Sequence, residues 1–364
     1  MTSSSQYLSM KTEALQSQTP VSPARAQAAQ IPLQTFTLPT FPPEAFISGL
    51  ESLILTSNIK LDEYTGLLQQ PFSVPDLPSS IKSLTLELFS LGYPPGFLTA
   101  LGKKLSDLKA VTLYSQLFAG TTPASREDAA LFLRTQTGLK ELHLLDVFGP
   151  SGFFTELEKA LSPSVKFLEV NYTYRHSDPQ FLNTVPSKEL GSMVSSGLVG
   201  LTMSISAPDV TEDEDDREGT EVGIRTVGGG DASVVVENLV SEGTGLVMLD
   251  TTMFEFGVED VERVLDACDK VKVLGLTVGL EKDWTEILGV LGKKERGFEV
   301  LEIVGVPGET MVDKMKTDEG KSHLKKQELE KLAKSCKDLK SLKASILRTK
   351  MEQWVKDGGA WERI

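Results

Sequence analysis

Cysteine is nearly missing from this chain of 364 residues, which holds only Cys268 and Cys336. Two cysteines cannot make a disulfide framework, so a reducing compartment is the default expectation. Histidine is almost as scarce. His143, His176 and His323 are scattered with neither H-x-x-x-H nor H-E-x-x-H spacing, and no metal site is expected from them. The chain also lacks a G-x-S-x-G elbow, which leaves a hydrolase triad without an anchor. It has no apolar run of about eighteen residues, so a soluble protein with no membrane partner is expected. The first thirty residues contain no apolar core of a secretory signal. They are Ser-rich with few basic residues, and a mitochondrial presequence stays open as an alternative to a cytoplasmic or nuclear location. Without a secretory signal, the Asn171-Tyr172-Thr173 sequon reads as chance.

Basic charge is in deficit as well. The formal net charge of −14 argues against a protein that coats nucleic acid or anionic lipid. Residues 311–350 run the other way, with twelve Lys/Arg against six Asp/Glu, and read most simply as a solvated helix face. A basic end that steers an acidic partner is the alternative. Between Asp209 and Glu221, eight of thirteen residues are acidic and cannot pack together, which predicts an exposed loop insertion over 207–230. A calcium loop would want ligands at alternating positions. Asp213 and Asp215 alternate, but Arg217 takes the third place, and no metal is expected. The Gly228-Gly229-Gly230 run lacks G-x-G-x-x-G spacing and no Gly-Lys-Ser/Thr follows it, so a hinge explains it better than a phosphate turn.

What the chain does have is a repeat. Residues 1–40, rich in Ser, Thr, Gln, Pro and Ala, sustain no period and are expected to be a disordered tail. From there one short apolar pattern recurs ten times, beginning at Leu50, Ile81, Leu108, Leu139, Val165, Leu198, Leu246, Val271, Phe298 and Leu339. Typical copies are Leu139-x-x-Leu142-x-Leu144 and Val271-x-x-Leu274-x-Leu276. The steps are 31, 27, 31, 26, 33, 48, 25, 27 and 41 residues, and the stretches between read mostly as amphipathic helices, among them Pro95–Leu105, Phe153–Leu161 and Val258–Cys268. Strand, loop, helix, loop, repeated at this length, predicts an α/β fold. The expectation is a right-handed leucine-rich-repeat solenoid with a parallel concave sheet and convex helices, in about ten irregular repeats. It would span 41–348 and be closed by a cap over 349–364 that holds Trp354 and Trp361.

The two cysteines share one phase of the repeat, in Cys268-Asp-Lys-Val271 and Cys336-Lys-Asp-Leu339, each three residues before a strand pattern. A small, soft side chain suits the turn from helix into strand, so a structural role is expected rather than a redox one. The resulting C-x-x-L-x-x-L-x-L pattern, over residues 50–346, resembles the repeat region of F-box/leucine-rich-repeat proteins of the irregular kind common in fungi. Phe41-Pro42-Pro43-Glu44-Ala45-Phe46-Ile47 is similar to the opening of an F-box, but the chain runs directly into Leu50-x-x-Leu53-x-Leu55, so no F-box is recognisable. The resemblance implies a protein that holds a protein partner.

In the L-x-x-L-x-L pattern, the residues on either side of the second Leu point onto the concave face. Small polar residues dominate there in the early units. Later units bring Glu141, His143, Phe167, Glu169, Met248 and Asp250, flanked by Tyr114. An aromatic ring and a Met within a ring of carboxylates reads as an interface. Tyr172, Tyr174 and Arg175, expected in the loop past the fifth strand, add interface-type residues. The expected function is therefore non-enzymatic: a monomeric scaffold or substrate-receptor-like protein, without cofactor or small-molecule ligand. Two alternatives stay open, a compact α/β enzyme with a ligand site at Gly228–Gly230, and a small-GTPase regulator by analogy of fold.

Overall fold

The computed structural model describes residues 29–33, 49–57, 72, 74, 76–87, 92–114, 118, 120, 122–147, 151–173, 187–206, 229–317, 323–346, 352–357 and 359–364. They fall into two compact units that divide after Thr173.

In the first unit, β1 (Ala29–Leu33), β2 (Ser52–Ser57), β3 (Ser83–Glu87), β4 (Ala110–Tyr114), β5 (Glu141–Val147) and β6 (Phe167–Thr173) pair in chain order, all parallel. Helices α1 (Phe97–Lys104), α2 (Pro123–Thr135) and α3 (Phe153–Ala160) follow β3, β4 and β5. Parallel neighbours need such a crossover, because a tight hairpin can join only antiparallel strands. The second leucine of each repeat sets the register: Leu53, Leu84, Val111, Leu142 and Leu168 are successive cross-strand partners, and all are buried. β1 lies inside the stretch expected to be a disordered tail. Its backbone pairs Ile31 with Leu55 along the edge of β2, a row of hydrogen-bonding groups that composition alone does not reveal.

The second unit repeats the plan. α4 (Ser187–Ser192) leads into β7 (Gly200–Ser206). Then come α5 (Gly229–Glu242), β8 (Met248–Phe256), α6 (Val258–Ala267), β9 (Val273–Leu280), α7 (Thr285–Leu291), β10 (Val300–Pro307), α8 (Glu309–Thr317), α9 (Lys326–Ser335) and β11 (Ser341–Ile346). Strands β7 to β11 are parallel, with Leu201, Leu249, Leu274, Leu301 and Leu342 in register. β12 (Glu352–Asp357) and β13 (Ala360–Arg363) form a hairpin antiparallel to β11, and bury Trp354 and Trp361. All ten repeat patterns are thus strands in a continuous leucine register within their unit. The fold is an open α/β solenoid of leucine-rich-repeat type.

The cysteines act at the joints. Each ends its helix, Cys268 after α6 and Cys336 after α9. The Cys268 thiol donates to the Leu239 carbonyl of α5 at 3.5 Å, and the Cys336 thiol to the Leu291 carbonyl of α7 at 3.7 Å. Both thus satisfy a carbonyl that a helix C-terminus leaves open. Arg296 does related work on α6, donating to the Leu265 carbonyl and, at 2.9 Å, to Asp266.

Candidate partner-binding face

Parallel strands in register, about 4.8 Å apart, bring side chains at equal positions into contact across the sheet. In the first unit, Ala110, Glu141 and Phe167 form one such row, and Thr112, His143 and Glu169 the next. They lie on the face opposite the buried leucines. Tyr114, one position further along β4, is the most exposed large aromatic of this face at 41%. Phe167, His143 and Glu169 are half-buried, and Glu141 is exposed. Five predicted residues, Tyr114, Glu141, His143, Phe167 and Glu169, are therefore brought together.

His143 sits between two carboxylates. Its Nδ1 is 2.8 Å from Glu169 Oε2 and its Nε2 is 3.9 Å from Glu141 Oε2. Burial pulls its pKa down, but Glu141 and Glu169 together outweigh that effect and raise it from 6.5 to about 9. The ring is thus an imidazolium at neutral pH, in a cluster whose two carboxylates leave it one unit negative. Glu87 pairs in register with Tyr114 and adds a further acid to the same face. The leucine pattern ends at Leu86, one residue short of the end of β3 at Glu87. Continuing the alternation by one residue finds it.

The other predicted residues go elsewhere. Tyr172 is fully buried and packs against Phe154, with ring centroids 6.2 Å apart, so it is a core residue and no anchor for a partner. β6 runs on through Thr173, and Tyr172 has the same parity as Leu168 and Val170. Tyr174 and Arg175 lie outside the described residues. Met248 and Asp250 belong to the sheet of the second unit. Met248 packs on Val273 and Val300, and Asp250 accepts from the Thr252 amide at 3.2 Å and the Thr252 hydroxyl at 2.9 Å. Asp250 is only 5% exposed, which removes it from a solvent-facing patch.

Among the described residues, no group of three or more His, Cys, Asp or Glu side chains could hold a metal ion. No described helix is long and apolar enough to cross a membrane. Gly229 and Gly230 form the first turn of α5, while Gly228 and the acidic segment 209–221 lie outside the described residues, as does the 41–47 segment. A groove of about 260 Å³ between α7 and α9 is lined by Leu288, Gly292, Glu328, Lys331 and Ser335 among others, with one carboxylate and one ammonium in its wall.

No family model matches the chain, and no curated protein matches it. Among solved structures, the leucine-rich repeat-containing protein LegL7 from Legionella pneumophila is similar over 88% of this chain and 92% of its own, at 13% identity and a TM-score of 0.45.

Proposed function

We propose that this chain is a non-enzymatic scaffold that holds a polypeptide partner on the open sheet face of its first unit. The observation that carries the reading is the juxtaposition of exposed Tyr114 and half-buried Phe167 with the Glu141–His143–Glu169 cluster, on a rigid in-register sheet. Aromatic anchors beside fixed charges on regular elements are what protein recognition uses. Three carboxylates against one imidazolium favour a partner that inserts an apolar side chain and brings basic residues around it. A substrate-receptor role in the cytoplasm or nucleus, of the kind that the cysteine-phased repeats resemble, is the finer form of this reading.

A photo-crosslinking amino acid in place of Tyr114 tests it in cells. A captured polypeptide is expected, and its capture should fall at least ~10-fold with Phe167→Ser or Glu169→Lys, the loss of one interface anchor. If those substitutions leave the captured proteins unchanged, this face is not the binding site.

A further inference from the structure

The residue before each strand stands at the edge where the chain enters the sheet. In the first unit, β3 to β6 carry Lys82, Lys109, Lys140 and Lys166 at that position. These four form a ladder. The amides of Lys109, Lys140 and Lys166 donate to the carbonyls of Lys82, Lys109 and Lys140 at 2.7, 2.8 and 2.8 Å. With strands about 4.8 Å apart, the four lysines share an edge about 14 Å long. Lys109 and Lys140 are exposed, and Lys82 and Lys166 are half-buried. Like charges at facing positions destabilise a sheet, so such a row is costly unless something answers it. Asp107 answers two of them, accepting from Lys82 and Lys109 at 2.5 Å each, and they hold its carboxyl down at about 2. Lys166 is engaged in an interaction of its own. Lys140 has no acid within ion-pairing distance among the described residues. Where Asp107 stands two residues before Lys109, Gly138 stands before Lys140, and the Lys109 ammonium leans over it: a Cβ at Gly138 would lie 2.7 Å from Nζ. Glu141 follows Lys140 but belongs to the open face, where His143 is its neighbour at 3.9 Å. In the second unit the same position alternates in sign, as Lys272, Glu299 and Lys340. There Glu299 lies 3.3 Å from Lys272 and 2.5 Å from Lys340, and the ladder neutralises itself.

We infer that the lysine edge of the first unit binds an acidic polypeptide segment in extended conformation, with three carboxylates at alternate positions. Charge sets the number, because four ammonium groups less the Asp107 carboxylate leave three positive charges. Geometry sets the spacing. Alternate side chains of an extended strand lie on one side about 6.6 Å apart, so three of them span about 13 Å, the length of the ladder. A nucleic acid fits less well, since its charge runs on past the ends of the row. Beyond Lys82 the ladder meets exposed Glu51, whose carbonyl accepts from the Lys82 amide at 2.8 Å. The net charge of −14 also opposes the approach of a long polyanion more strongly than that of a short one. This edge takes charge of the opposite sign to the Glu141–His143–Glu169 face, so the two sites are distinct and one can fail without the other.

The test uses the full chain and a fluorescein-labelled peptide with glutamate at three alternate positions among serines, followed by anisotropy. Binding is expected at low ionic strength and should fade as salt is raised. Lys140→Glu turns an attraction into a repulsion and should weaken binding at least ~5-fold, while the circular dichroism of the repeats is kept. Asp107→Asn removes the competing carboxylate and should tighten binding. Lys331→Glu, the same change of net charge on an exposed helix of the second unit, should leave the affinity as it is. Four results overturn the inference. The peptide does not bind at low salt, Lys140→Glu binds it as the parent does, Lys331→Glu weakens it as much as Lys140→Glu, or an oligothymidylate with three phosphates binds more tightly than the peptide. The last of these would make the edge a nucleic-acid site.

Discussion

His143 shows how a single side chain couples the binding face to pH. Its folded pKa of about 9 lies above the value of 6.5 it has when unfolded, so the folded state holds the proton more tightly. The stabilisation is fully present below pH 6.5 and is lost as the pH rises through 9. Partial exposure of the side chain reduces its size to about 1–3 kcal/mol. Urea midpoints of the parent should therefore fall between pH 6.5 and 9.5, and His143→Gln should flatten that slope; equal slopes in both proteins would refute the assignment. The cysteines make the opposite kind of prediction. Burial raises both thiols to about 11, so neither is a thiolate at neutral pH. A maleimide at pH 7.5 should label the native protein far more slowly than the urea-unfolded chain, in which both should react. Their structural role was legible because two copies shared one phase of the repeat. The place of Tyr172 was not, because the leucine pattern ends at Val170 and carries no mark of where the strand stops. Strand pairing carries β6 three residues further, and parity then turns the ring inward.

At the scale of elements, the repeat period identified every strand from β2 to β11, since a buried leucine register leaves little freedom of position. The helix ends depend on partners that no local pattern reveals. α1 begins after Gly96, in a left-handed conformation with φ near 89° and no side chain to cap the helix. The cap comes instead from the next helix. Asp128 in α2 is buried, and its carboxylate accepts from the amides of Leu98 at 3.0 Å and Thr99 at 2.9 Å. A charge-assisted pair of bonds at a helix N-terminus, thirty residues away in sequence, thus joins two repeats. Asp128→Ala should cost about 2–3 kcal/mol, because it orphans two donors in a buried site. Asp128→Asn, which retains one acceptor oxygen, should cost less, and urea denaturation of the two variants checks the order. Gly102 makes the same interface from the other side. A Cβ there would come within 2.9 Å of Phe132 Cδ2, so Gly102→Ala should destabilise even though alanine favours helix by about 1 kcal/mol. A more stable Ala variant would show that the α1–α2 contact yields easily.

Over the whole molecule, periodicity exposed the solenoid but not its division after Thr173, because the leucine pattern is the same on both sides of that point. The division has a consequence that can be measured directly. Repeat proteins are held together by neighbouring contacts, so their cooperativity fails where those contacts thin. All three tryptophans, Trp284, Trp354 and Trp361, are buried in the second unit, whereas described helices occur in both. Tryptophan emission therefore follows the second unit alone, while circular dichroism at 222 nm follows the sum. Their urea transitions are expected to differ in midpoint. Asp128→Ala, which acts in the first unit, should shift the dichroism curve and leave the tryptophan curve in place. If the two curves coincide in the parent, and the substitution moves both together, the chain unfolds as one cooperative body and the division after Thr173 has no energetic meaning.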